Sequence, residues 1–281
     1  MFKAPKTIHN FKIVYQDGTV IDMADDLNIV VRSFQIDSLS PIIYSEKIQG
    51  KSGSIRLGKD YDNRKMQATC QFFAVDSYDY PLARNELLQT LFKDEEFYIV
   101  KDDEPAKRWK VEVSNSFTPE RIVNSGVFVV DFESMSHYAE SIATTQDELS
   151  FDSSILQFGQ GLIAEDLKYT HNTTSFSIYN AGDVIVNPRD SNMELVIEYV
   201  GASDSLRIVN ESTGDIWEHT ATTNSDDVIR LEGVRSTRNN LLIVRESNKK
   251  VISIKNGWNN FKLENTSGSF EIKFDFRFYY L

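Results

Sequence analysis

The chain has a single cysteine among 281 residues. Cys70 therefore has no partner for an internal disulfide, and a cysteine-based zinc site cannot be assembled. Its place in the alternating run from Met66 to Val75 makes it a buried apolar thiol. Histidine is scarce as well. His9, His137, His171 and His219 stand far apart, with no second histidine at metal-ligand spacing and no HExxH arrangement. Long apolar runs are missing, and none approaches the ~20 residues that a spanning helix needs, so no membrane insertion is expected. The opening MFKAPKTIHNF has neither an apolar core region nor a small-residue cleavage site, so synthesis and folding in a cytoplasm are expected. Positive charge is in deficit: 30 Lys and Arg stand against 42 Asp and Glu, a formal net charge of -12. Duplex binding gains most of its affinity from Lys and Arg releasing counterions, so nucleic acid and anionic membrane surfaces are not expected partners.

Signatures of catalysis are also missing. Gly50-Lys51-Ser52 resembles the end of a phosphate-binding loop, but Ser45 stands where the first glycine belongs, and Ser54-Ile55-Arg56-Leu57 continues as a strand and not as a helix. Asp60-Tyr61-Asp62 starts like a calcium loop. It then fails at Arg64, at Lys65 in place of glycine, and at Gln71 in place of the bidentate glutamate. No Gly-x-Ser-x-Gly elbow occurs. The runs Asp94-Glu95-Glu96 and Asp102-Asp103-Glu104 read as solvated turn carboxylates, because a glycosidase pair needs two carboxyls across a sugar with one pKa raised by burial. No catalytic residue, metal ligand or cofactor-binding residue is assigned.

What is present is a series of short strand-like runs. Phe11–Val14 and Val20–Met23 flank Asp17-Gly18, a hairpin signal. Leu27–Ile36 is a β-branched run, and Ser52–Leu57 is expected to pair with Met66–Val75 around a turn at 58–63, with Gly50 and Gly53 as strand-entry and bulge glycines. One helix, at about 80–93, is expected from the apolar spacing of Tyr80, Ala83, Leu87, Leu88, Leu91 and Phe92, with Asp79 as cap and Pro81 in the first turn. Strand patterning returns at Glu96–Lys101, Arg108–Val113 and Val127–Glu133. A shift to Ser, Thr, Gln, Asp and Glu between His137 and Gln160 marks a boundary, giving domains at 1–144 and 171–281 joined by a linker at 145–170.

The second half reads as strands at Ser175–Tyr179, Met193–Val200, Ser205–Asn210, Val228–Leu231, Leu241–Glu246, Val251–Ile254, Asn260–Glu264 and Ser269–Tyr280. Turn clusters at Ser212–Asp215, Asn239-Asn240, Asn256-Gly257 and Ser267-Gly268 separate them, a pattern that suggests a β-sandwich or jelly roll. In the last run Phe270, Ile272, Phe274, Phe276 and Phe278 alternate with charged residues, so one face must be buried. Trp217 and Trp258 are the candidate carbohydrate contacts, since flat aromatic faces bind sugars; the competing reading places both in the core.

In its order of features the chain resembles the siphophage distal tail protein (Dit) family, components of the phage tail baseplate hub. The resemblance rests on the early Asp-Gly hairpin, the glycines at 50 and 53, and the segment from Gly58 to Arg64 leading into an alternating strand. It continues through AVDSYDYPLARNELLQTLF, EEFYIVKDDEPAKRWKVEV, IYNAGDVIVNP, and the ending from NGWNNFKLEN to FRFYYL. The resemblance implies a mainly β protein: an N-terminal β-barrel or sandwich-like ring domain with one helix, and a C-terminal galectin-like or jelly-roll β-sandwich of the carbohydrate-module kind. It also implies a non-enzymatic homo-hexameric ring in the virion tail tip. That ring would join the tail tube protein to the hub or tail-associated lysin and to receptor-binding proteins, leaving a channel for DNA. The alternative is a glycan-binding accessory protein that uses its C-terminal sandwich on host wall or surface carbohydrate.

Overall fold

The computed structural model describes residues 3–147 and 167–281. The chain divides into two units, 1–139 together with Leu281, and 140–280. The expected linker at 145–170 falls largely on residues outside those described.

The first unit contains β1 (Phe11–Val14), β2 (Val20–Asp22), β3 (Ile29–Ile36), β4 (Pro41–Glu46), β5 (Ile55–Tyr61) and β6 (Arg64–Phe73), then α1 (Tyr80–Leu91), β7 (Phe97–Lys101), β8 (Lys107–Val113), β9 (Glu120–Ile122) and β10 (Ser125–Ser134), with β4 and β5 forming a two-stranded sheet of their own. Asp17-Gly18 closes the β1–β2 hairpin, with Gly18 at φ +83°, a conformation that only glycine adopts freely. Hydrogen-bonded neighbours run β2-β1-β7-β8-β10-β6-β3, with β9 beside the start of β10. The core shows that this sheet curls. Phe11 of β1 meets Phe34 of β3 at 5.2 Å and Phe132 of β10 at 5.9 Å, and Phe97 of β7 meets Phe132 at 6.2 Å. Strands far apart in the hydrogen-bonded order share one aromatic cluster, and near the edges Ile29 N–H donates to the Met23 carbonyl at 2.9 Å.

The helix forms where its pattern predicts, ending at Leu91. It buries Tyr80, Leu87, Thr90 and Leu91, one face of a 3.6-residue period. Pro81 occupies the first turn, but Asp79 makes no side-chain cap to the helix; its carboxylate instead accepts from Val75 N–H at 2.8 Å. Tyr15 ties the helix to β1, its hydroxyl donating to the Thr90 carbonyl at 2.6 Å. Cys70 is fully buried, and desolvation pushes its thiol up to about 12.

The pairing expected for Ser52–Leu57 is corrected. β5 pairs with β4, and β6 pairs with β3 and β10. The reason is that β3–β4 and β5–β6 are the two legs of one long hairpin, its turn at the 47–54 loop and not at 58–63. Asp37 N–H to the Lys65 carbonyl and Asp62 N–H to the Ser40 carbonyl, both 2.9 Å, carry the ladder across the join. Gly50 and Gly53 lie in the tip at φ +83° and +88°, and the bulge falls at Tyr44–Ser45.

The second unit contains β11 (Ala139–Thr144), β12 (Thr170–His171), β13 (Ser175–Asn180), β14 (Leu195–Asn210), β15 (Asp215–Glu218), β16 (Thr222–Thr223), β17 (Val228–Glu232), β18 (Arg235–Arg238), β19 (Leu241–Leu242) and β20 (Gly257–Tyr280). The β14–β20 pairing is its spine. Each of these is one continuous strand where two were expected, because the breaks near Gly201 and Ser267 are bulges that keep the ladder going. Their effect is geometric. Phe261 and Phe274 of β20 are thirteen residues apart, ~43 Å along a straight strand, yet their ring centroids lie 4.7 Å apart. β20 therefore bends back on itself and contributes to both layers of a β-sandwich. Ile272, Phe274, Phe276 and Phe278 are all buried, as the alternation requires. Val251–Ile254 is not a strand; only an isolated bridge joins Val186 to Ile254. Leu241–Glu246 becomes the two-residue β19 followed by a 3-10 turn at Val244–Glu246.

Cys70 in the folded protein is expected to resist iodoacetamide at neutral pH and to react fully in guanidinium, a contrast read by intact mass.

Candidate assembly arm and surface sites

The outer half of the long hairpin, β4 and β5 with the 47–54 loop, packs against little of its own chain. Every residue of β4 is exposed, as are most of β5. Ile43 is 62% exposed and Leu57 66%; Ile42, Tyr44, Ile48 and Ile55 are exposed too. Ile42 and Tyr44 occupy one face of the ribbon and Ile43 the other, so both faces are apolar in part. Among the described residues neither outer edge of the ribbon is paired. An isolated two-stranded ribbon is at best marginally stable in water, and a contiguous exposed apolar surface marks a contact site. The arm is also close to neutral: residues 40–62 carry four Lys or Arg and three Asp or Glu, in a chain with 30 against 42. Two copies of the acidic chain meet little repulsion there. Lys51, from the rejected phosphate-loop pattern, sits in the tip and is exposed.

The two tryptophans part company. Trp217 is 2% exposed on β15, opposite Ile208, with its ring parallel to that of buried His219 at 6.3 Å. It is a core residue and offers no platform to a sugar, because alternation on a half-buried strand turns it inward. Trp258 is 43% exposed and pairs across the ladder with Tyr179, ring centroids 5.2 Å apart. Beside them Ser177 donates to Asn260 at 2.8 Å on the same face. Tyr199, Tyr279 and Tyr280 are buried, and desolvation raises each of their hydroxyl pKa values. Among the described residues no group of three or more His, Cys, Asp or Glu is placed to hold a metal ion. No helix among them is long and apolar enough to cross a membrane.

At the β16–β18 end of the sandwich, Asp227 organises the turns. It accepts from Asn224 N–H at 2.6 Å, from the Arg238 guanidinium at 2.5 Å and from the Asn239 amide at 2.7 Å. Asn239 and Asn240 both have positive φ, as a two-residue hairpin turn requires. Those three donors hold the Asp227 carboxyl at about 2.

Residues 16–134 match the family described as a phage tail protein RIFT-related domain. The chain also has the fold of the SPP1 Dit protein, whose crystal structure is described as a paradigm of hub adsorption apparatus in Gram-positive infecting phages. The match has a TM-score of 0.66 and 15% identity, and covers 95% of this chain and 99% of that one. Two structures of the phage p2 baseplate in its activated conformation, with Sr and with Ca, match at 10% and 9% identity with TM-scores of 0.45 and 0.47. They cover 96% and 97% of this chain and 98% of each of those. No curated protein matches the chain. Residues 16–134 thus resemble a phage tail domain, and the described residues are mainly β with one α-helix. The likeness to SPP1 Dit, at 15% identity, is one of fold.

Asp227 yields a pH dependence. Its folded pKa lies below the ordinary carboxylate value near 4, so its stabilisation is full at neutral pH and is lost as pH falls from about 4 to about 2. Denaturant midpoints measured from pH 5 to pH 2 are expected to show the wild type losing its advantage over Asp227→Asn across that window.

Proposed function

We propose that the protein is the distal tail protein of a siphophage tail tip, closing into a ring of six copies. The ring joins the tail tube to the hub or tail-associated lysin and to receptor-binding proteins. The observation that carries this reading is the exposed apolar arm formed by β4, β5 and the loop between them. Completing the burial of six half-exposed apolar side chains contributes roughly 1 kcal/mol each. Association costs about 4–15 kcal/mol in lost translational and rotational freedom. One arm contact is therefore marginal. A closed ring gives every copy two such contacts, one through its own arm and one through its neighbour's, which favours closure over open chains. Pairing the ribbon's open edges or faces also removes an aggregation hazard. The six-fold count and the named neighbours rest on the resemblance to distal tail proteins.

Light scattering with negative-stain imaging tests the ring. The wild type is expected to give ring-shaped particles near six times the 32.2 kDa chain mass. The double variant Ile43→Asp/Leu57→Asp is expected to be a monomer with an unchanged circular dichroism spectrum, since neither residue lies in the core. A wild-type monomer at all concentrations would count against spontaneous closure.

A second role is favoured by the Tyr179–Trp258 pair. An exposed aromatic pair flanked by Ser177 and Asn260 combines a stacking surface with amide and hydroxyl groups, the chemistry that recognises a sugar ring. We infer a carbohydrate contact there on the host wall, centred on Trp258 and not on Trp217. A glycan array is expected to show binding that Trp258→Ala abolishes. Equal binding by that variant would remove this face from consideration.

A further inference from the structure

The second unit contains a cavity that neither the arm nor the Tyr179–Trp258 face uses. Its volume is about 50 Å³, and its lining includes Leu195 and Ile197 of β14, Trp217 of β15, Leu231 of β17, and Ile252. All five are buried. That volume exceeds what one water needs; the lining also includes Ser236 and Ser247, but these five side chains form an apolar wall that suits an apolar group.

The mouth has the opposite character. Val234 and Val244 stand there with Arg235, Lys249 and Lys250. Val234 is 67% exposed, and Leu241 and Leu242 on the neighbouring β19 are 73% and 70% exposed. Residues 228–255 contain seven Lys or Arg and two Asp or Glu, although the whole chain has 30 against 42. Arg230 is paired with Glu232 and Arg238 with Asp227, whereas Arg235, Lys249 and Lys250 form no ion pair among the described residues. Lys249 is also held at φ +57°, in the left-handed region that non-glycine residues seldom adopt. A basic, partly apolar rim around an apolar hole is thus concentrated on one edge of an acidic protein.

We propose that this cavity and its rim are a docking site for an acidic polypeptide segment bearing one bulky aliphatic or aromatic side chain. The side chain fills the cavity against Trp217, and flanking carboxylates reach Arg235, Lys249 and Lys250. Burying an apolar anchor supplies affinity, and the cations select the sign of the partner. The site does not depend on ring closure, since every group in it belongs to the second unit.

Trp217 in the cavity lining supplies the readout. The full chain is labelled with fluorotryptophan, its signals are assigned through Trp258→Phe and Trp109→Phe, and fluorine NMR follows titration with a short Asp- and Glu-rich peptide carrying one central Phe. The expected result is a saturable shift of the Trp217 signal with Kd of about 1 mM or tighter, with Trp109 and Trp258 unmoved. Lys249→Glu/Lys250→Glu is expected to weaken binding by about tenfold or more without changing the thermal melt, as both side chains are solvent-facing. An unmoved Trp217 signal overturns the proposal. So does equal binding of the Asn/Gln version of the peptide, of the version with Phe replaced by Ser, or of a polyglycerol phosphate, each of which would reduce the edge to a generic surface. A Trp217 shift that follows protein concentration without peptide would assign the site to a second copy and overturn it too.

Discussion

Backbone groups taken out of water must be paired, and an open sheet ends in two edges where they are not. This constraint organises the whole chain. The first unit meets it by curling, so that strands from opposite parts of the sheet converge on Phe11, Phe34, Phe97 and Phe132. The second meets it by running β14 and β20 together for most of their length and bending both at bulges, so that one ladder serves both layers. At one place the constraint is left to others. The ladder that starts between β3 and β6 continues past Asp37 and Lys65 into β4 and β5, out of the core, with open edges and exposed isoleucines.

That continuity links fold to role. An arm that is a direct extension of two core strands is held by the same hydrogen bonds as the core, so its direction is set by the folded unit and not by a flexible hinge. Such a ribbon can meet a neighbour without losing much conformational freedom, which lowers the cost of association. Its near neutrality matters for the same reason, because two copies of a chain with a net charge of -12 repel each other less where the contact itself carries little charge.

Charge is also unevenly spread within the sandwich. The edge from β17 to Lys255 concentrates cations, and part of that charge is structural: Arg238 serves Asp227, which in turn fixes the turns before β17 and after β18. Arg235, Lys249 and Lys250 have no such internal duty. The division between occupied and unoccupied cations is a matter of geometry that composition does not reveal.

Much of the molecule was legible in its residues. Alternation placed most strands and the buried face of β20, the 3.6-residue spacing placed α1, and Asp17-Gly18 and Asn239-Asn240 marked two hairpins, because these signals come from local sterics and side-chain periods. The resemblance to distal tail proteins was legible for the same reason, as an order of local patterns. Pairing was not. The run at Ser52–Leu57 joined the strand before it and not the one after, since β-branched content says that a segment is extended but not which partner completes its ladder. The bulge at Ser267-Gly268 read as a turn, because glycine and serine permit both. Trp217 and Trp258 are the same residue type, each a few residues from a turn, and only the sandwich turned one into the core and left the other on its surface. Local chemistry decided which segments would be strands; which edges close, which stay open, and which side chains face water were decided by packing between residues distant in the chain.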